Sequence, residues 1–84
     1  MKKSLYDVKV RKAKASEDGA YIVLDVANNI QLGYIDRVVS VNNRRTGTWC
    51  YTRFSDNKTV WNAGNSWEKA TIRLAKSLGY KDEK

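Results

Sequence analysis

NNRRTGTWCYTRF, residues 42–54, is the stretch on which the fold turns. Asn42, Asn43 and Gly47 tolerate positive φ and mark 42–47 as a turn, while 48–54 alternates as a strand does. Every second side chain of a strand shares a face. Trp49, Tyr51 and Arg53 therefore point one way, Cys50, Thr52 and Phe54 the other, with Arg44 and Arg45 at the tip. Whether the Trp49 face is core or surface depends on register, because a slip of one residue inverts every side chain.

Working outward, 34–41 is rich in β-branched residues and reads as the preceding strand. Ser55-Asp56-Asn57-Lys58 is a tight turn and 59–62 a short last strand. A loop at 42–47 sets Val41 opposite Thr48, Val39 opposite Cys50, and Ile35 opposite Phe54. The turn at 55–58 then sets Thr52 opposite Trp61. In this register one face holds Ile35, Val39, Cys50, Phe54 and Trp61, and it is the face a helix is expected to cover. The other holds Trp49, Tyr51 and Arg53, either buried against the first strands or exposed as an aromatic–cationic platform.

Those first strands are 5–12, with Tyr6, Val8 and Val10 opposing Asp7, Lys9 and Arg11, and 21–26, where Ile22 and Leu24 oppose Val23 and Asp25. SEDG (16–19) joins them as a hairpin turn. At the other end, Trp67, Ala70, Thr71, Leu74 and Leu78 recur at helical spacing, opposite Lys69, Arg73 and Lys76. Asn65 and Glu68 stand as a cap and its reciprocal acid, and Gly79 closes the helix. The expected fold is α+β, a β-hairpin plus a three-stranded antiparallel sheet with one C-terminal amphipathic helix. The strands, about five, form either an open sheet or a small SH3-like barrel. Residues 1–84 make one small domain, with 1–4 and 80–84 as loose ends.

Composition narrows the chemistry. One cysteine and no histidine exclude an internal disulfide, a cysteine-based zinc site and imidazole catalysis. Cys50, between two aromatics in a strand, is expected to be a buried and inert thiol. The acids form no paired-carboxylate motif and the glycines no phosphate loop, so an enzyme is not expected, and neither is a cofactor or metal. No apolar run is long enough to span a membrane, and MKKSLYDVKV lacks the apolar core of a signal peptide. The cytoplasm is the expected compartment.

The net charge is +7, with Lys2, Lys3, Lys9, Arg11, Lys12 and Lys14 against Asp7 alone in the first segment. Such a surplus favours polyanionic partners through counterion release. A small nucleic-acid-binding protein is the leading expectation. Its three-stranded sheet would enter a duplex DNA groove, with RNA or single strands as alternatives. Arg44, Arg45, Arg53 and Lys58 would contact phosphates or base edges, Trp49 and Tyr51 would pack on sugars or bases, and Lys9 and Arg11 would add a general electrostatic term. The alternative is a protein-interaction module of phage or plasmid type that inhibits a host protein, since Trp, Tyr and Arg also dominate protein hot spots. In element order the chain resembles the SH3-like-barrel chromatin proteins of archaea, which lay a three-stranded sheet on DNA. Its last half, three strands then a helix, looks like the AP2 domain and the integrase arm-binding domain. Each likeness covers element order alone, without a diagnostic motif.

Overall fold

A computed structural model describes residues 2–39, Asn42 and 45–82; Arg44 and the side chain of Arg45 lie outside the described residues. After a 3-10 turn at Leu5–Asp7 come β1 (Val8–Lys12), β2 (Tyr21–Asp25), β3 (Ile30–Val39), β4 (Arg45–Arg53), β5 (Thr59–Val60) and α1 (Trp67–Ser77). The strands form one antiparallel sheet in the order β1-β2-β3-β4-β5, open, with β1 and β5 at its edges. The first hairpin thus continues the sheet through β2 and β3, and the α+β expectation holds.

Register differs from the expectation, and the reason lies in Gly47. Ile35 pairs with Tyr51, Asp36 with Cys50 and Arg37 with Trp49, whereas nearer the tip Val39 pairs with Arg45. Thr46, Gly47 and Thr48 therefore stand against Val38 alone. Gly47 has φ +79°, and the Thr46 hydroxyl donates to the Val38 carbonyl at 2.9 Å. A residue pattern that reads as a turn is here a bulge inside the hairpin. Five residues separate Val39 from Arg45 where the expected turn spans six, and with the two extra residues of the bulge β4 is displaced by three from the expected pairing, an odd number, so Trp49 to Arg53 change face. Trp49 and Tyr51 join Ile35 under the helix, while Cys50 and Thr52 go to the opposite side.

The core shows what this register buries. Val23, Leu32, Ile35, Trp49, Tyr51, Ala70, Leu74 and Tyr80 form one buried cluster between the sheet and α1. Covering Trp49 and Tyr51 removes a large apolar area from water, whereas Phe54 and Trp61 stay exposed on the other side. A second bulge helps to seat the helix. Val23 faces Gly33 and Leu24 faces Gln31, leaving Leu32 unopposed and turned into the core. At Gly33 a Cβ would collide with the Thr52 carbonyl oxygen and crowd Leu74 Cδ1, so only glycine lets the helix lie this close.

The helix cap is Ser66, whose hydroxyl accepts from the Lys69 amide at 3.2 Å; Asn65, the expected cap, is exposed one residue earlier. Gly79 follows the helix with φ +93°, as anticipated. The expected loose ends are partly tied down. Ser4 and Lys81 form a parallel bridge, the Leu5 amide donates to the Lys81 carbonyl at 3.0 Å, and the Lys81 amide to that of Lys3 at 3.1 Å. Ser4 and Tyr80 are both buried.

Candidate nucleic-acid interface

Among the described residues only the Trp49 face carries a helix. On the other, β1 presents Lys9 and Arg11, β2 Ile22 and Leu24, and β3 Tyr34, Asp36 and Val38. Across the remaining strands it presents Cys50, Thr52 and Thr59, with Phe54 and Trp61 just beyond β4 and β5. Segment 13–20 closes the β1–β2 part of this face. Gly19 lies so near the Tyr34 ring that a Cβ there would strike it, and Ile22 is buried. Arg11 pins the segment through a bidentate pair with Glu17, Nη1 to Oε1 at 2.7 Å and Nη2 to Oε2 at 2.6 Å. These hydrogen bonds, reinforced by the Lys14 amide, hold the Glu17 carboxyl down at about 2.

The β3–β5 part of the face stays open. Trp61 is 67% exposed and Phe54 43%, and the Phe54 and Tyr34 rings are tilted together at 6.0 Å between centroids. Between the two aromatic positions, Thr52 Oγ1 and Thr59 Oγ1 share a hydrogen bond of 2.8 Å. A shallow depression of about 230 Å³ lies here, with Trp61, Tyr34 and both threonines among its walls. Asp36 is half-buried beside it and accepts from the Arg37 amide at 2.8 Å. Cys50 is 7% exposed; burial, and secondarily the Asp36 charge, push its thiol up from the ordinary range. The thiol is buried as anticipated, yet on the face without the helix.

The residues expected to bind fall into separate environments. Trp49 and Tyr51, at 6% and 7% exposure, are core side chains and cannot stack on a base. Trp49 instead packs at 6.2 Å from Tyr21 and lies under the Arg37 guanidinium at 5.2 Å. Arg53 is also on the helix side, where Asp56 holds it at 2.6 Å between Nη2 and Oδ2 and 3.1 Å between Nε and Oδ1. Burial resists ionisation of Asp56, but the Arg53 hydrogen bonds outweigh it and keep the carboxyl below its usual range. Arg11 is likewise committed to Glu17. Lys9 and Lys58 are exposed; Lys9 is on the open face and Lys58 next to Thr59 in its turn. Arg44 and the Arg45 side chain lie outside the described residues.

The structure brings together three rings that the sequence reading did not group. Phe54 and Trp61 were expected under the helix, and Tyr34 was read only as part of a strand. The signal that would have exposed them is Gly47 read inside the strand and not in the turn, which leaves five residues between Val39 and Arg45 in place of the expected six and so turns Cys50 and Thr52 to the open face. Among the described residues no three His, Cys, Asp or Glu side chains gather as metal ligands, and no helix is long and apolar enough to cross a membrane. Comparison with protein-family models, curated proteins and solved structures finds no match to this chain.

Proposed function

We propose that this chain is a small basic nucleic-acid-binding protein of the cytoplasm, a binder and not a catalyst, which uses the helix-free face of its sheet. The observation that carries the reading is the pair of exposed rings, Phe54 and Trp61, on an uncovered sheet face in a chain of net charge +7. Exposed aromatics on a sheet suit flat bases, and surplus cations suit the phosphates that accompany them. Lys9 supplies charge on this face, Lys58 is exposed immediately before β5, and Arg44 immediately precedes Arg45, the first residue of β4.

A salt titration tests the reading. With about four phosphate contacts, log K should fall against log salt with a slope near −3 on a single strand and nearer −4 on a duplex. Replacing Arg44 and Arg45 together by Ala should flatten that slope by nearly 2 units if both reach phosphates. Absence of binding to any nucleic acid at low ionic strength would sink the proposal. The second reading, a phage- or plasmid-type module that binds a host protein, is favoured by one feature. The Asp36 carboxylate borders the open rings, and a protein partner could offer it a cation.

A further inference from the structure

We infer that the site takes unpaired bases, single-stranded DNA or RNA, held at two stacking positions on the open face; this rests on the nucleic-acid reading above. One position is the Tyr34–Phe54 pair and the other is Trp61. Their separation follows from the register. Tyr34 pairs with Thr52 and Thr52 with Thr59, which is two inter-strand steps, and Trp61 lies two residues beyond Thr59. With strands ~4.8 Å apart and ~3.3 Å per residue, the backbones bearing the two positions stand roughly 12 Å apart. Stacked bases in a duplex strand rise only about 3.4 Å each, and each base has both faces covered by its neighbours. No duplex can lay a base on Trp61 and another on Phe54 without being opened. An extended strand can, with its bases splayed apart.

The surface between the rings suits such a strand. Whichever of Thr52 and Thr59 donates in their shared hydrogen bond, the other hydroxyl keeps its hydrogen for an outside acceptor, a base carbonyl or a phosphate oxygen. The site therefore spans roughly three nucleotides, two stacked and one over the threonines. Charge sets the direction in which the backbone lies. Asp36, on β3, repels phosphates, whereas Lys58 adjoins β5 at the sheet edge, so the sugar–phosphate chain runs along the β5 side with its bases turned inward. The +7 net charge supplies the complementarity that an apolar face alone would lack.

Fluorescence anisotropy on four labelled probes of equal length tests this: oligo-dT, oligo-U, a mixed-sequence duplex and an abasic phosphodiester strand. Either or both of the unpaired probes should bind at least about tenfold more tightly than the duplex and the abasic strand. Trp61→Ala and Phe54→Ala should each lose about tenfold on the unpaired probes and little on the abasic one, while Trp61→Phe retains most of the binding. Unchanged thermal denaturation of the variants confirms that they are folded. Equal affinity for the duplex or the abasic strand, with Trp61→Ala silent, would overturn the stacking inference and leave a general nucleic-acid binder. Failure of all four probes at low salt would overturn the nucleic-acid reading itself, and the same rings would then belong to a protein interface.

Discussion

Trp49 and Trp61 sit on opposite faces of one sheet, 6% and 67% exposed, and their chemistry follows from that difference alone. Truncating Trp49 to Ala leaves a cavity beneath Tyr21 and Arg37, which should cost about 3–5 kcal/mol in urea denaturation. Trp61→Ala removes a mostly solvated ring and should stay within about 0.5 kcal/mol of the parent. The reverse order of effects would restore the register in which Trp61 is core. Cys50 permits a second test at this scale. Burial raises its thiol first, and the Asp36 carboxylate raises it further. Asp36→Asn should therefore lower the thiol's titration point and speed its alkylation at a fixed pH near 8. An unchanged or slower rate would show that Asp36 does not act on the sulfur.

At the level of the element, α1 divides into a buried side and a charged side. Ala70, Thr71, Leu74 and Ala75 are buried, and Lys69, Arg73 and Lys76 are exposed. Leu74→Ala should cost about 2–4 kcal/mol and Lys76→Ala less than about 0.5, read as the shift in urea midpoint at constant m. Comparable losses from the two would mean that the helix is rotated from the position described. The helix was legible in the sequence because its apolar spacing runs uninterrupted from Trp67 to Leu78. The strands were legible too, through alternation and β-branching. What was not legible was their pairing across the Gly47 bulge, because Asn-Arg-Arg-Thr-Gly between two strands has the composition of a plain loop. That single ambiguity assigned Trp49 and Tyr51 to the wrong face and hid Tyr34, Phe54 and Trp61 as a group. The ion pairs Arg11–Glu17 and Arg53–Asp56 were equally invisible, since each depends on a turn bringing the acid back to the strand.

For the whole molecule, stability should vary with pH at both extremes. Asp25 is fully buried; burial opposes its charge, but hydrogen bonds from Asn28 and from the Tyr80 hydroxyl outweigh it and keep its carboxyl below the ordinary value. A lowered folded value means stability that is present above the unfolded value near 3.8 and lost as pH falls below it. Glu17 acts in the same sense, its share disappearing between about 4.5 and about 2. Tyr80 has the opposite sign. Burial first, then its bond to Asp25, raises its phenol, so its contribution is complete below about 10 and is lost as pH climbs through the raised folded value. Tyr80→Phe should lower stability by about 1–3 kcal/mol at neutral pH, because Asp25 loses a buried donor. It should also make the melting temperature less sensitive to pH above 10. Parallel alkaline limbs in the two proteins would argue that Tyr80 does not titrate with folding.

The bridge between Ser4 and Lys81 joins the first and last described segments as parallel neighbours. That arrangement has a mechanical consequence. Tension applied through the chain on either side of the domain pulls these two segments past each other along their length. Their linking bonds, from Leu5 to Lys81 and from Lys81 to Lys3, are then loaded together in shear and not opened one after another. This clasp is loaded before the sheet's own hairpins. A chain pulled from both sides would meet this sheared clasp within the first few ångströms of extension, before the strands of the sheet are loaded.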